Sequence, residues 1–182
     1  MALKRFASNS DFAPDALIII ENFGLAVYMA QLFERDLQIV IAGLERLGQI
    51  TVPHDTIRSR DGLVEACLGP MIRWAIDAAK LDVETSRMLK KANYQRNLLA
   101  HGFLAENVVD MLNDAGRASV NEKLHRIFTN ICQAHGVVVM LRDVVWSLLG
   151  VSRAEIGKQV EEEMGRFADR QPGDEDSDEH ST

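Results

Sequence analysis

The sequence predicts an all-α fold, an up-and-down bundle of four long helices with a peripheral helix at the C-terminal end. Apolar residues recur at helical spacing over several long stretches, without a convincing strand pattern. Aromatic residues make up only 6% of the chain, with 12 glycines and 4 prolines, whereas β-sandwiches and barrels need strand formers and frequent turns. The length of 182 residues suits one domain. We expect an N-terminal extension over 1–13, a helical domain over 14–168 and a disordered acidic tail over 169–182.

The first two helices are expected before residue 80. Pro14 suits a first helical turn and Gly48 a C-terminal stop, which predicts a first helix over about residues 14–47. Gly24 marks a place for a kink. After a loop, Ser59 or Asp61 is a suitable N-cap for a second helix, which is expected to bend at a Gly-Pro pair, residues 69 and 70.

Two further long helices are expected after residue 80. The third begins near Asp82 or Thr85. Residues 113–116 have the composition of a turn, and Ser119 or Asn121 is a suitable cap for the fourth helix after it.

The C-terminal part combines a short helix with acidic residues. Ser152 and Glu155 have the spacing of a capping box, which predicts a polar helix over about residues 152–166. The formal net charge is −7, from 20 basic and 27 acidic residues, and five of the acids lie near the end: Asp174, Glu175, Asp176, Asp178 and Glu179. Without those five, 20 basic residues face 22 acidic ones. Because the rest of the chain is nearly neutral, its overall acidity does not argue against a nucleic-acid partner.

Cysteine content and hydropathy bear on the location of the protein. Two cysteines, Cys67 and Cys132, are too few for a disulfide framework and lack the CxxC spacing of a zinc site, and we expect both to be small core residues in a reducing compartment. No apolar run reaches the roughly 20 residues of a membrane span, and no signal-type segment follows Lys4 and Arg5. We therefore expect a cytoplasmic protein without membrane contact.

One string in the predicted third helix, at residues 96–102, reads RNLLAHG. Arg96 presents a guanidinium fork for a phosphate, His101 carries a proton near neutral pH, and Asn97 is able to orient either group. RNA cleavage without a metal needs a base for the 2′-hydroxyl, a cation beside the phosphorane and an acid for the leaving 5′-oxygen. We therefore expect Arg96, Asn97 and His101 to be catalytic, with His101 as general base or acid.

Helical geometry extends this to a prediction about assembly. Asn97 and His101 share one face, whereas Arg96 and His101 are about 140° apart on an unbroken helix. One helix would therefore hold Arg96 and His101 poorly around a single phosphate. Two copies meeting at a two-fold axis, or a kink near Gly102, would bring the groups together. We expect a homodimer with a shared cleft.

The string resembles the signature of the HEPN family: an Arg, a polar residue, three further residues and a His, in a small helical protein. The resemblance implies a helical bundle that dimerises so that two motifs, here Arg96, Asn97 and His101, line one cleft. It implies a metal-independent endoribonuclease acting as a toxin, a phage-defence effector or an RNA-processing factor. An antitoxin or regulatory protein is an implied partner. Toxins silenced by a nucleotidyltransferase antitoxin carry a Tyr two residues after the His, where this chain has Phe103, which lacks an acceptor hydroxyl.

Basic residues precede the string. Arg87, Lys90 and Lys91 follow each other closely, with Tyr94 after them. We expect these four residues to bind RNA, the cations on phosphates and Tyr94 stacked on a base. The alternative is a solvated helix face.

Other chemistries find little support. Glu122 and His125 make one Glu-x-x-His pair, whereas a di-iron bundle needs two such pairs and two more Glu residues, so we expect no metal and no cofactor. The sequence lacks P-loop, nucleophile-elbow and dinucleotide-binding motifs. The structural alternative for the string is that Arg96 pairs with an acid and His101 caps a helix end. Two alternative functions also stay open. One is an inactive helical module that binds a partner protein or nucleotide through the same cleft. The more distant one is a helical transcriptional regulator.

Overall fold

The computed structural model describes residues 14–53, 67–152, 154, 155, 157, 158 and 161, and no strand occurs among them. The helices are α1 (Pro14–Arg46), α2 (Leu68–Ala79), α3 (Val83–His101), α4 (Phe103–Asn107), a 3-10 helix (Asp110–Leu112) and α5 (Asp114–Leu148). The all-α class is therefore confirmed. The predicted N-terminal extension and acidic tail lie outside the described residues.

α1 begins and ends close to the predicted residues. It continues through Gly24 as one helix. Gly48, at φ +68°, follows its end, and the Gln49 N–H donates to the Leu44 carbonyl at 2.9 Å. Glycine adopts a positive φ without steric cost, which explains why the helix stops there.

α2 begins later than predicted. Its first residue is Leu68 and its N-cap is Cys67, so Gly69 and Pro70 lie in the first turn and not at a bend inside a longer helix. Proline fits this position because the first N–H groups of a helix have no intrahelical acceptor. The expected caps at residues 59 and 61 lie outside the described residues.

α5 begins earlier than predicted, at Asp114. The side-chain oxygen of Asn113 accepts a hydrogen bond from the Gly116 N–H at 2.9 Å. The segment 113–116, expected to form a turn, therefore caps and starts the helix, and Ser119 and Asn121 lie inside it.

Each of the longer helices contributes to one apolar interior, and so does the short α4. Burying such side chains provides the main favourable term in folding. The largest fully buried side chains are Ile19, Phe33, Leu37, Val40, Ile41, Met71, Ile72, Leu89, Phe103, Leu124 and Ile131.

α1 and α5 run in the same direction. Asn22 Nδ2 donates to Asn121 Oδ1 at 2.6 Å, and Asp36 Oδ2 lies 2.7 Å from His135 Nε2. Both pairs are separated by 99 residues. A constant separation over about four turns requires two parallel helices.

α3 runs opposite to α1. Arg96 pairs with Glu34, whereas Phe103, just beyond α3, stacks on Phe23 earlier in α1, with ring centroids 6.1 Å apart. Because α1 and α5, the first and last long helices, are parallel, the strict alternation of an up-and-down four-helix bundle is not confirmed.

The chain divides into two compact units, Met1–Val145 and Trp146–Thr182. In the second unit, Gly150, at φ +74°, follows the end of α5. Ser152 and Glu155 form the predicted capping box: the Ser152 N–H donates to Glu155 Oε2 at 2.9 Å, and the Glu155 N–H donates to Ser152 Oγ at 3.2 Å. The bonds from Ser152 hold the pKa of Glu155 below its ordinary value.

Two helices reach the length and apolar content of a membrane span, contrary to the expectation that no segment would. The most apolar windows within Asp15–Arg46 and Asp114–Leu148 have mean hydropathies of 1.7 and 1.2, with 28% and 22% of each buried. Core helices of soluble proteins pass the same test, so this finding does not place the protein in a membrane. The cytoplasmic location stays a prediction.

Gly116 provides a test of how α5 begins. A Cβ there would lie 2.7 Å from the Asp110 carbonyl carbon and closer still to its oxygen. We expect Gly116→Ala to lower the free energy of unfolding by about 1–3 kcal/mol. Gly136, in the same helix, has no atom within 4 Å of its Cβ position, and Gly136→Ala is expected to raise stability by about 0.5–1 kcal/mol. Thermal unfolding followed by circular dichroism measures both, and equal stability of Gly116→Ala and wild type would contradict the close approach.

The N-cap of α3 makes stability depend on pH. Asp82, one of the two residues near which this helix was expected to begin, accepts from the Thr85 N–H at 2.9 Å and from the Thr85 hydroxyl at 2.7 Å. These bonds, the backbone one first, hold the pKa of Asp82 below its ordinary value. Because the folded-state pKa is the lower one, the contribution is complete above the unfolded-state pKa and is lost as pH falls through the folded-state pKa.

We therefore expect Asp82→Ala to lower Tm at pH 7, and this difference from wild type to shrink as the pH falls below the ordinary pKa of an aspartate. Asp77, an exposed carboxylate of α2, is the control, and its alanine variant is expected to show no such trend. Melting curves between pH 2 and pH 7 measure both differences. A pH-independent difference for Asp82→Ala would show that the carboxylate charge is not what caps α3.

Candidate functional site

The string at 96–102 ends α3 and leads directly into α4. His101 is the last residue of α3, and Gly102 separates the two helices. The Gly102 N–H donates to the Leu98 carbonyl at 2.9 Å, and the Gly102 carbonyl accepts from the Glu106 N–H at 2.9 Å. His101 thus lies at the C-terminus of α3.

Arg96, Asn97 and His101 line one cavity of about 850 Å³. Asn93, one turn before Asn97, lines it too, together with Glu34 and Gln38 of α1 and residues 67–70 at the start of α2. The structure therefore brings the three motif residues together within one chain. The angular separation of Arg96 and His101 on α3 did not predict this, because the long side chain of Arg96 reaches into the cavity from a neighbouring face.

The guanidinium of Arg96 is held by two neighbours. Its Nε and Nη2 donate to Glu34 Oε2 at 3.1 and 2.6 Å, and its Nη1 donates to Asn97 Oδ1 at 3.0 Å. The Arg96 and Glu34 side chains are 29% and 24% exposed, so the ion pair is largely shielded from water. The two terminal nitrogens still have further N–H groups for a ligand in the cavity.

Glu34 is a site residue that the sequence analysis missed. The signal was present: Glu34, Arg35 and Asp36 form a run of charges inside an otherwise apolar helix. A carboxylate that packs against other helices needs a cationic partner. This rule predicts that Glu34 meets an arginine, although it does not identify Arg96.

Asn97 and His101 are exposed, and both line the cavity. Asn97 Oδ1 accepts from Arg96, which leaves the amide N–H groups to donate. His101 makes no hydrogen bond or ion pair to any described residue, so its ring is not committed to a structural contact there.

The residues expected to bind RNA are all exposed. Lys91 lies apart from the others, because its Nζ donates to Asn130 Oδ1 of α5 at 3.1 Å. The other three share a face of α3 with Asn97 and His101 of the motif. We call this face the exposed stripe, and its members follow each other at intervals of four and three residues: Val83, Arg87, Lys90, Tyr94, Asn97 and His101.

The first turn of α2 forms one wall of the cavity. Its N-cap, Cys67, makes no side-chain cap bond. The N–H groups at the start of a helix carry partial positive charge and favour anions. Together with Arg96, this wall makes the cavity chemically suited to a phosphate.

The expectation that Cys67 is a core residue is wrong. Cys67 is exposed, because it precedes the buried face of α2.

Other titratable residues pair in ways that support the fold. Asp36 Oδ1 accepts from Arg142 Nη1 at 2.7 Å, while Asp36 Oδ2 meets His135, and all three side chains are largely buried. Glu122, half of the Glu-x-x-His pair, lies 3.9 Å from Arg126. Within the described part of the chain, no three His, Cys, Asp or Glu side chains come together as metal ligands.

The two cysteines provide a test of the cavity wall. Cys132 is half-buried and burial raises the pKa of its thiol, whereas Cys67 is exposed beside the cavity. We expect Cys67 to react with dithionitrobenzoate about tenfold faster than Cys132, since both access and thiolate fraction favour it. The rates are separated with Cys67→Ser and Cys132→Ser variants of the native protein. Faster modification of Cys132 would mean that this face of α2 is covered.

Comparison with known proteins assigns no family to this chain: no protein-family model, no curated protein and no solved structure matches it. The HEPN resemblance therefore rests on the string at 96–101 and on the all-α class.

Proposed function

We propose that this chain is a metal-independent endoribonuclease of HEPN type that acts as a homodimer in toxin-like or phage-defence RNA cleavage. The observation that carries the proposal is that Arg96, Asn97 and His101 line one cavity, beside the first turn of α2. A phosphate-binding cation, an amide and a proton carrier are the set that attack by a ribose 2′-hydroxyl requires.

In the proposed reaction the 2′-oxygen attacks phosphorus and the bond from phosphorus to the 5′-oxygen breaks. The products are a 2′,3′-cyclic phosphate and a 5′-hydroxyl. Arg96 binds the non-bridging oxygens, whose negative charge grows in the transition state. His101 removes the 2′-hydroxyl proton or protonates the leaving oxygen, and the Asn97 amide donates to the substrate.

The reaction supports a dimer because it needs a base and an acid, while His101 is the one histidine among the described residues that line the cavity. A second copy provides a second His101.

The exposed stripe supports RNA as the substrate. Arg87 and Lys90 place positive charge along the helix that carries the motif, and Tyr94 exposes a ring on which a base stacks. Because these contacts are to phosphates and base faces, they support broad rather than sequence-specific binding.

A second candidate function is an inactive helical module that binds a nucleotide or a partner protein in the same cavity. The observation that favours it is the ion pair between Arg96 and Glu34. An arginine paired with an acid was the structural alternative for this residue, and such a pair stabilises the packing of α1 on α3 without any chemistry.

The two functions are separated by incubating the purified protein with mixed cellular RNA in EDTA. We expect the wild type to cleave and His101→Ala to be about 100-fold slower or worse, as loss of a general acid or base predicts. Arg96→Ala is expected to lose activity as well. The fragments of the wild-type reaction should end in 2′,3′-cyclic phosphate.

His125→Ala is the matched control, because His125 is also an exposed histidine but lies on α5, away from this cavity. Its cleavage rate should equal that of the wild type. Cleavage by His101→Ala at the wild-type rate would overturn the proposal. If neither the wild type nor any variant cleaves RNA, although each of them still unfolds cooperatively, the inactive module would be favoured.

A further inference from the structure

Glu34 reaches the cavity from α1, a different element from the one that carries the motif. One of its oxygens, Oε2, accepts both bonds from Arg96, at 3.1 Å from Nε and 2.6 Å from Nη2. We infer that Glu34 is the positioning residue of the site: it holds the Arg96 guanidinium so that the terminal edge remains available to a phosphate. This inference rests on the proposed ribonuclease function.

Counting donors supports this role. A guanidinium has five N–H groups, one on Nε and two on each terminal nitrogen. Glu34 takes the one on Nε and one on Nη2, and Asn97 takes one on Nη1. One N–H remains on each terminal nitrogen. Donors on both terminal nitrogens are able to bind phosphate oxygens. Arg96 is therefore able to bind phosphate without leaving Glu34.

The charge of Glu34 predicts a particular kinetic signature. The negative charge of Glu34 offsets the positive charge of Arg96. It therefore weakens the attraction between Arg96 and an RNA phosphate when the substrate binds. The fixed orientation of the guanidinium matters most in the transition state, when the phosphorane oxygens gain charge. A positioning carboxylate therefore costs some substrate affinity and raises the rate of the chemical step.

The test is the variant Glu34→Gln, which keeps the size of the side chain and removes its charge. We expect kcat for RNA cleavage in EDTA to fall about tenfold, because a loosely held guanidinium is misplaced at the phosphorane. KM is expected to fall by about threefold, because Arg96 is no longer neutralised. A merely structural residue would change the melting temperature without this opposite effect on rate and affinity.

Asp36→Asn is the matched control. Asp36 is a second partly buried carboxylate of α1, two residues away, and it pairs with Arg142 and not with a cavity residue. Its loss is expected to lower Tm and leave both kcat and KM within twofold of the wild-type values. If Glu34→Gln does not fold, Glu34→Asp keeps the charge on a shorter side chain. That variant is expected to keep the wild-type KM with a reduced kcat.

A second readout does not depend on cleavage. The Arg96 Nε–H signal in a nitrogen-15 NMR spectrum, identified by its loss in Arg96→Lys, should exchange slowly with solvent in the wild type and rapidly in Glu34→Gln. Binding of a 2′-deoxy oligonucleotide, which lacks the attacking hydroxyl, should be about threefold tighter in Glu34→Gln, as loss of one opposing charge predicts.

These readouts separate failure of the inference from failure of the proposed function. If the wild type cleaves RNA through His101 and Glu34→Gln has the same kcat and KM, the positioning role is wrong and the ribonuclease stands. If no protein cleaves RNA, the ribonuclease is wrong, and the NMR signal and oligonucleotide affinity decide the role of Glu34. An unchanged Nε–H signal in Glu34→Gln would overturn the inference in either case.

Discussion

The pairing of partly buried charges on α1 is the constraint on which the packing of this protein depends. Glu34 and Asp36 lie in an apolar helix, and each loses water when other helices pack on it. A carboxylate in that position is costly unless a cationic donor meets it. Arg96 of α3 meets the first and Arg142 of α5 meets the second. These two pairs restrict the register in which α3 and α5 pack on α1.

The sequence predicted the helical class because apolar spacing is a local signal repeated over many turns. It also predicted Gly48 and Asp82 as helix ends, since a positive φ and a cap hydrogen bond involve only neighbouring residues. It misplaced the start of α5, because the segment 113–116 suits a turn and a capped first turn equally well until the close approach of Gly116 to Asp110 is known. The parallel direction of α1 and α5 rests on contacts between residues far apart in sequence, and periodicity carries no information about it.

The same contrast between local signals and contacts distant in sequence applies to the site. Arg96, Asn97 and His101 were identified because they stand close together in the sequence and combine suitable chemistry. Glu34 was missed because it is 62 residues away from Arg96 and becomes part of the site only when α1 and α3 pack. The position of Arg96 was misjudged for a related reason: ideal helix angles describe where a side chain leaves the backbone, whereas a guanidinium at the end of a long flexible chain is placed by what binds it.

The ion pair between Arg96 and Glu34 takes part in helix packing and also in the site, and these two roles determine what a substitution in the cavity reports. Arg96 joins α1 to α3 and also presents N–H groups to the cavity, so its removal leaves Glu34 partly buried without its partner and disturbs packing and chemistry together. His101 has no hydrogen bond or ion pair with any described residue, and it lies at an exposed helix end. Its loss therefore costs little in packing, and any change in RNA cleavage reports on the reaction. For this reason the test of the proposed function depends more on His101 than on Arg96, although Arg96 makes three hydrogen bonds to described residues.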